Sequence, residues 1–90
     1  MAALMIGEVP TLTADVYDAM AAQMMPLMKG HKGFIAHTGG PSPSGGFRIV
    51  EIWETEADGT AWFEANVKPN LPPDMKPERK WFPLHNVVTK

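Results

Sequence analysis

Three side chains have the type and setting for acid–base chemistry: Glu51, His37 and His85. Glu51 stands in Phe47-Arg48-Ile49-Val50-Glu51-Ile52-Trp53, a run otherwise almost wholly apolar. A carboxylate held among aromatics is costly unless paired, and its pKa tends to rise, which is how a general acid or base is tuned. The alternative is a structural Glu that accepts a hydrogen bond from a buried backbone or Trp N–H. His37 and His85 each fall within a segment of strand character. The imidazole is the side chain whose ordinary titration lies nearest neutral pH. His31 sits in a Gly-flanked loop and reads as solvated.

Other chemistries lack their residues. There is no cysteine, hence no disulfide, thiolate metal site or Cys nucleophile. No HxH or HExxH spacing exists, so no metal site is expected. The glycine pairs Gly39-Gly40 and Gly45-Gly46 flank prolines instead of opening a helix, so no phosphate loop and no cofactor are expected. Net charge is −2 with no basic run, which argues against nucleic acid. The N-terminal apolar stretch lacks a basic flank and a cleavage site, and no window is long enough to span a membrane. A cytoplasmic protein is the expectation.

These residues need elements to hold them. Pro10, Gly30, Gly33, the Gly/Pro/Ser stretch 39–46 and the prolines Pro69, Pro72, Pro73 and Pro77 divide the chain into six segments. Strands are predicted over 4–9, 33–38, 47–54 and 81–88, and helices over 13–28 and 55–68. Thr13 is the expected cap of the first helix, and Thr55 that of the second through a near capping box ending at Asp58. Val16, Met20, Met24 and Leu27 make the apolar face of the first helix, and Pro26 is expected to kink or end that helix early. Residues 70–80 read as a Pro-rich loop and possible lid. The order strand, helix, strand, strand, helix, strand is the split β-α-β pattern. The fold class is therefore α+β, ferredoxin-like βαββαβ. A four-stranded antiparallel sheet in the order fourth, first, third, second carries both helices on one face. Residues 1–90 form one domain.

A hairpin centred between Ser42 and Pro43 sets His37 opposite Arg48 and Phe34 opposite Glu51. Glu51 then shares its side with Phe34, Ala36, Phe47, Ile49 and Trp53. The two strand histidines lie on opposite sheet edges, about 14 Å apart at three strand spacings, and meet only across a dimer. Both faces of the third strand are apolar, and a chain this short with no disulfide has a marginal core. A homodimer that covers the bare sheet face follows.

The stretch Val50-Glu51-Ile52-Trp53-Glu54-Thr55-Glu56-Ala57 resembles the third strand and second-helix cap of antibiotic-biosynthesis-monooxygenase-like domains, within the dimeric α/β-barrel superfamily. The resemblance implies a dimeric α/β barrel. It also implies small-molecule chemistry of the cofactor-free oxygenase, lyase or cyclase kind. Related domains often carry a His in the middle of the second helix and another about five residues on. Trp62 and Val67 stand there here, and no His lies between Asp58 and Asn70. Haem ligation or proton transfer from that helix is not expected.

Two functions emerge. One is a cofactor-free monooxygenase or related acid–base enzyme acting on a small apolar or aromatic molecule. Its catalytic candidates are Glu51, His37 and His85, and Trp53, Phe34, Met24, Phe63, Trp62 and Arg48 would form the binding site. Met5, Met20, Met24, Met25, Met28 and Met75 would give it an adaptable interior. The other is a non-catalytic binder or accessory protein. Two or more ionisable groups converging on one cavity favour the enzyme, and a purely apolar cavity favours the binder.

Overall fold

The computed structural model describes residues 1–90. Its elements are β1 (Ala3–Val9), α1 (Ala14–Lys29), β2 (Phe34–Pro41), β3 (Phe47–Trp53), α2 (Glu56–Trp62) and β4 (Glu78–Pro83). After α2 the chain continues through a π turn, Phe63–Val67, and a 3-10 turn, Lys68–Asn70. The sheet is antiparallel in the order β2-β3-β1-β4, as the pattern required.

Both predicted caps form. The Thr13 hydroxyl accepts from the Val16 N–H at 3.4 Å, and the Thr55 hydroxyl from the Asp58 N–H at 3.1 Å. Pro26 does not end α1, which runs on to Lys29 with the proline in its last turn. Its apolar face is also turned from the one expected. Val16 and Leu27 are 44 % and 61 % exposed, and Tyr17, Met20, Ala21, Met24 and Met28 face inward instead.

Alternation sorts each strand into an inner side beneath the helices and an outer side. Along β1, Ala3, Met5, Gly7 and Val9 are buried, whereas Leu4, Ile6 and Glu8 on the outer side are half-buried. Along β3, Glu51 and Trp53 are buried on the inner side. The core is Met28, Trp53 and Trp62, with Met24, Met25, Phe34, Val67 and Trp81 packed around it.

Three expectations need correction. First, β2 does not stop at Thr38. Gly39, Gly40 and Pro41 stay in the ladder, and the loop shrinks to residues 42–46. Pro41 is tolerated because β2 is an edge strand, where a missing N–H costs no central ladder bond. The register therefore moves by three residues, and His37 faces Glu51, not Arg48. An odd shift exchanges the sides. Second, a bulge between Phe34 and Ala36 changes the register again and sets Phe34 opposite Trp53. Ala36 falls on the outer side opposite Ile52. Third, β4 begins earlier and ends earlier than predicted, so residues 78–80 leave the loop and 84–88 leave the strand.

Candidate active site

The three-residue register shift assembles the site. His37 and Glu51 are cross-strand partners on the inner side, and their side chains meet at 2.7 Å between Nδ1 and Oε2. Both are well buried, with side chains 10 % and 6 % exposed. The other carboxylate oxygen, Oε1, accepts from Trp53 Nε1 at 3.0 Å. Two residues on, along the same side of β3, Trp53 thus anchors the carboxylate to the core. From α1, the Tyr17 hydroxyl reaches His37 Nε2 at 2.7 Å. A carboxylate can only accept, so Nδ1 of His37 donates to Glu51 and Nε2 is left to accept the Tyr17 O–H. The chain Trp53–Glu51–His37–Tyr17 is continuous, and none of its buried polar atoms lacks a partner.

Tyr17 is held above the ordinary phenol pKa, first by burial and then by the negative charges of Glu51 and Asp18. It therefore stays protonated, and a donor, at neutral pH. Its ring stacks on Phe47 at 5.1 Å between centroids and lies beside the His37 ring at 6.0 Å.

This polar chain opens on a cavity of ≈ 100 Å³ between the sheet and the helices. Six methionines line it: Met5, Met20, Met24, Met25, Met28 and Met75. These side chains are unbranched and polarizable, so the wall they make is adaptable. Leu71, Met75 and Pro77 close one side, so the Pro-rich segment lies against the cavity. The π turn brings both Phe63 and Val67 to the wall. Asn66 and Asn70 cap carbonyls that this irregular turn exposes, donating to the Trp62 and Asn66 carbonyls at 3.3 and 2.8 Å.

Arg79 is the other charged group on the cavity. Its guanidinium lies 3.9 Å from the Phe63 ring centroid and 5.6 Å from that of Trp81. Burial lowers its pKa, and Glu51 and Glu64 partly oppose this. It takes part in no ion pair.

Of the sequence candidates, the structure brings together Glu51, His37, Met24, Trp62 and Phe63 around one cavity. It separates four others. His85 lies beyond β4, in an exposed bend. β4 ends at Pro83, so His85 stands off the sheet of its own chain. Arg48 points to the outer side, where its Nε donates to Glu8. The Ser42 hydroxyl also donates to Glu8, at 2.6 Å, and this bond lowers the Glu8 pKa more than the one from Arg48. Phe34 and Trp53 support the site from the core: they pack edge to face at 5.6 Å and do not line the cavity. Sequence reasoning missed Tyr17 and Arg79. Tyr17 starts the spacing 17, 20, 24, 28, one of two apolar sets that α1 offers. Arg79 was legible only once β4 was seen to start before Trp81. No three His, Asp or Glu side chains converge to hold a metal ion.

No family model and no curated protein matches this sequence. Solved structures do match in shape. SnoaB, a cofactor-independent oxygenase from Streptomyces nogalater, superposes with a TM-score of 0.60 at 9 % identity, over 99 % of this chain and 96 % of that one. An asparagine-to-alanine variant of SnoaB gives 0.71 at 11 % identity, covering 99 % and 98 %. A "putative monooxygenase" from Shewanella loihica PV-4 gives 0.63 at 13 % identity, covering 96 % of each chain. At such identities the likeness speaks for the fold. The resemblance read from residues 50–57 holds at that level: the chain shares the ferredoxin-like βαββαβ fold of these solved structures.

Proposed function

We propose that this protein is a homodimeric, cofactor-independent monooxygenase acting on a small apolar or aromatic molecule with an acidic C–H or O–H group. The observation that carries this reading is the Tyr17–His37–Glu51 chain at the edge of a largely apolar cavity. Four ionisable groups, Tyr17, His37, Glu51 and Arg79, border that one cavity, which favours an enzyme over a passive binder.

Glu51 fixes the His37 tautomer, so Nε2 is the basic atom. The Tyr17 oxygen accepts the substrate proton as its own proton passes to Nε2. The resulting carbanion or phenolate forms in a water-poor space beside the Arg79 cation, which stabilises the developing charge. The carbanion gives electrons to dioxygen and a C–O bond forms. The peroxide oxygen takes back a proton from His37. Loss of water from a CH–O–O–H centre leaves a carbonyl, so one CH2 and one O2 become one C=O and one H2O.

A second copy of the chain would cover the outer sheet face. There Leu4, Ile6, Val50 and Ile52 are half-buried and Phe82 is 44 % exposed. Only 11 of 90 residues are buried, and further apolar burial would strengthen so small a core. The test is oxygen uptake with a panel of hydroxyarenes and cyclic 1,3-diketones. Uptake in step with substrate loss, reduced roughly 100-fold or more by His37→Gln, is expected. Tight binding without uptake, or uptake that His37→Gln leaves unchanged, would overturn it.

A further inference from the structure

Gly39 lies on β2 two residues beyond His37, on the same inner side and opposite Ile49. Its backbone does not demand glycine, because positive φ angles occur only at Gly33, Gly45 and Gly46. Space does. A Cβ placed on Gly39 would lie 2.6 Å from Cζ, 2.7 Å from Cε1 and 2.7 Å from the hydroxyl of Tyr17. Carbon atoms in good contact sit about 3.5–4.0 Å apart, so the ring would have to leave. The obstacle is also a rigid aromatic, held by stacking on Phe47. Glycine inside a strand often marks such a close approach.

We propose that Gly39 is a positioning residue of the site: its missing side chain lets the Tyr17 ring lie on bare β2 backbone and brings the hydroxyl to His37 Nε2. The proposal concerns where Tyr17 sits. It deepens the oxygenase reading, on which only its consequence for turnover rests. The neighbouring glycine supplies a control. Gly40 shares the strand and the loss of chain freedom, but a Cβ there would meet nothing within 4 Å.

Tyr17 is the sole tyrosine, so the ultraviolet absorbance of tyrosinate during alkaline titration reads this one phenol. In the unaltered protein it should ionise above the ordinary value of 10.0. Gly39→Ala should return it towards that value, whereas Gly40→Ala should leave it in place. Where turnover is measured, Gly39→Ala should lower it by roughly 100-fold, the scale of a misplacement near 1 Å. The melting temperature of Gly39→Ala should also fall, and a Tyr17→Ala background should abolish that fall, because the ring it strikes is gone. This coupling keeps the test decisive even if Gly39→Ala alone folds poorly. A titration unchanged by Gly39→Ala, or the same fall in both backgrounds, would overturn the proposal. Both readouts need no turnover, so they stand apart from the oxygenase reading.

Discussion

Replacing Glu51 by Gln keeps the shape of the most buried charged residue, which is 5 % exposed as a whole, and removes its charge. The two existing contacts dictate how the amide must sit. Trp53 Nε1 can only donate, so the Gln carbonyl must face it and the NH2 must face His37. Nδ1 of His37 then has to accept, and its proton moves to Nε2. The basic atom is lost, and the Tyr17 hydroxyl can no longer donate where it did. Every hydrogen bond can still be made, so the stability cost is the difference between charge-assisted and neutral bonds. That difference is about 1 kcal/mol per bond over two bonds. Relief from burying a carboxylate offsets part of it. A net loss of about 1 kcal/mol lowers Tm by roughly 4–8 °C for a chain of this size. Loss of the base is expected to lower the rate by roughly 100-fold or more, equivalent to about 3 kcal/mol. Activity should therefore fall far more than stability. The assay pairs thermal unfolding with initial rates corrected for folded fraction. A variant whose rate per folded molecule stays within a few-fold of the original would refute the tautomer argument, as would one that unfolds outright.

Further outcomes follow from the same contacts. Gly59→Ala gains about 1 kcal/mol of helix propensity, yet a Cβ there would strike Trp81 and lie 2.8 Å from Trp53 Cδ1. Overpacking costs about 1–3 kcal/mol, so the denaturation midpoint should fall, and a more stable variant would contradict the packing seen here. Light scattering should give about twice 9.9 kDa, and Phe82→Glu should halve it; a 9.9 kDa species for the unaltered chain at micromolar concentration would end the dimer proposal. Ser42→Ala removes the main cause of the lowered Glu8 pKa. Glu8 contributes stability above its ordinary value of 4.5 and loses it as pH falls through its lowered folded value. The advantage of the original over Ser42→Ala should shrink across that acid range, and an advantage independent of pH would argue against this cause.

Element order, both helix caps and the strand order were legible because they depend on hydrophobic period and on Thr13 and Thr55. The company of Glu51 on β3, Phe47, Ile49 and Trp53, was legible too, since alternation along one strand needs no partner, but which sheet face that company occupies was not. The pairing of Glu51 with His37 was not. Gly39-Gly40-Pro41 has the composition of a turn, and only its place on an edge strand lets it remain in the ladder. Tyr17 was hidden for a related reason. On α1 the set Val16, Met20, Met24, Leu27 and the set Tyr17, Met20, Met24, Met28 have equal claim to helical spacing. Packing chose between them, through Met28 against Trp53 and Trp62. His85 looked strand-like because Leu84 and Val87 flank it, but β4 ends at Pro83.

The bulge between Phe34 and Ala36 gives the edge strand two phases. Residues spaced by three normally point to opposite sides of a sheet, yet Phe34 packs on Trp53 while His37 reaches Glu51 on that same side. One surplus residue thus lets a single strand serve both the core and the chemistry. Deletion of Ile35 would act like a frameshift. The strand would have to choose between its aromatic anchor and its imidazole. In a lineage of such chains, a one-residue deletion there would dissolve the Tyr17–His37–Glu51 chain in one step, with every one of its side chains still encoded.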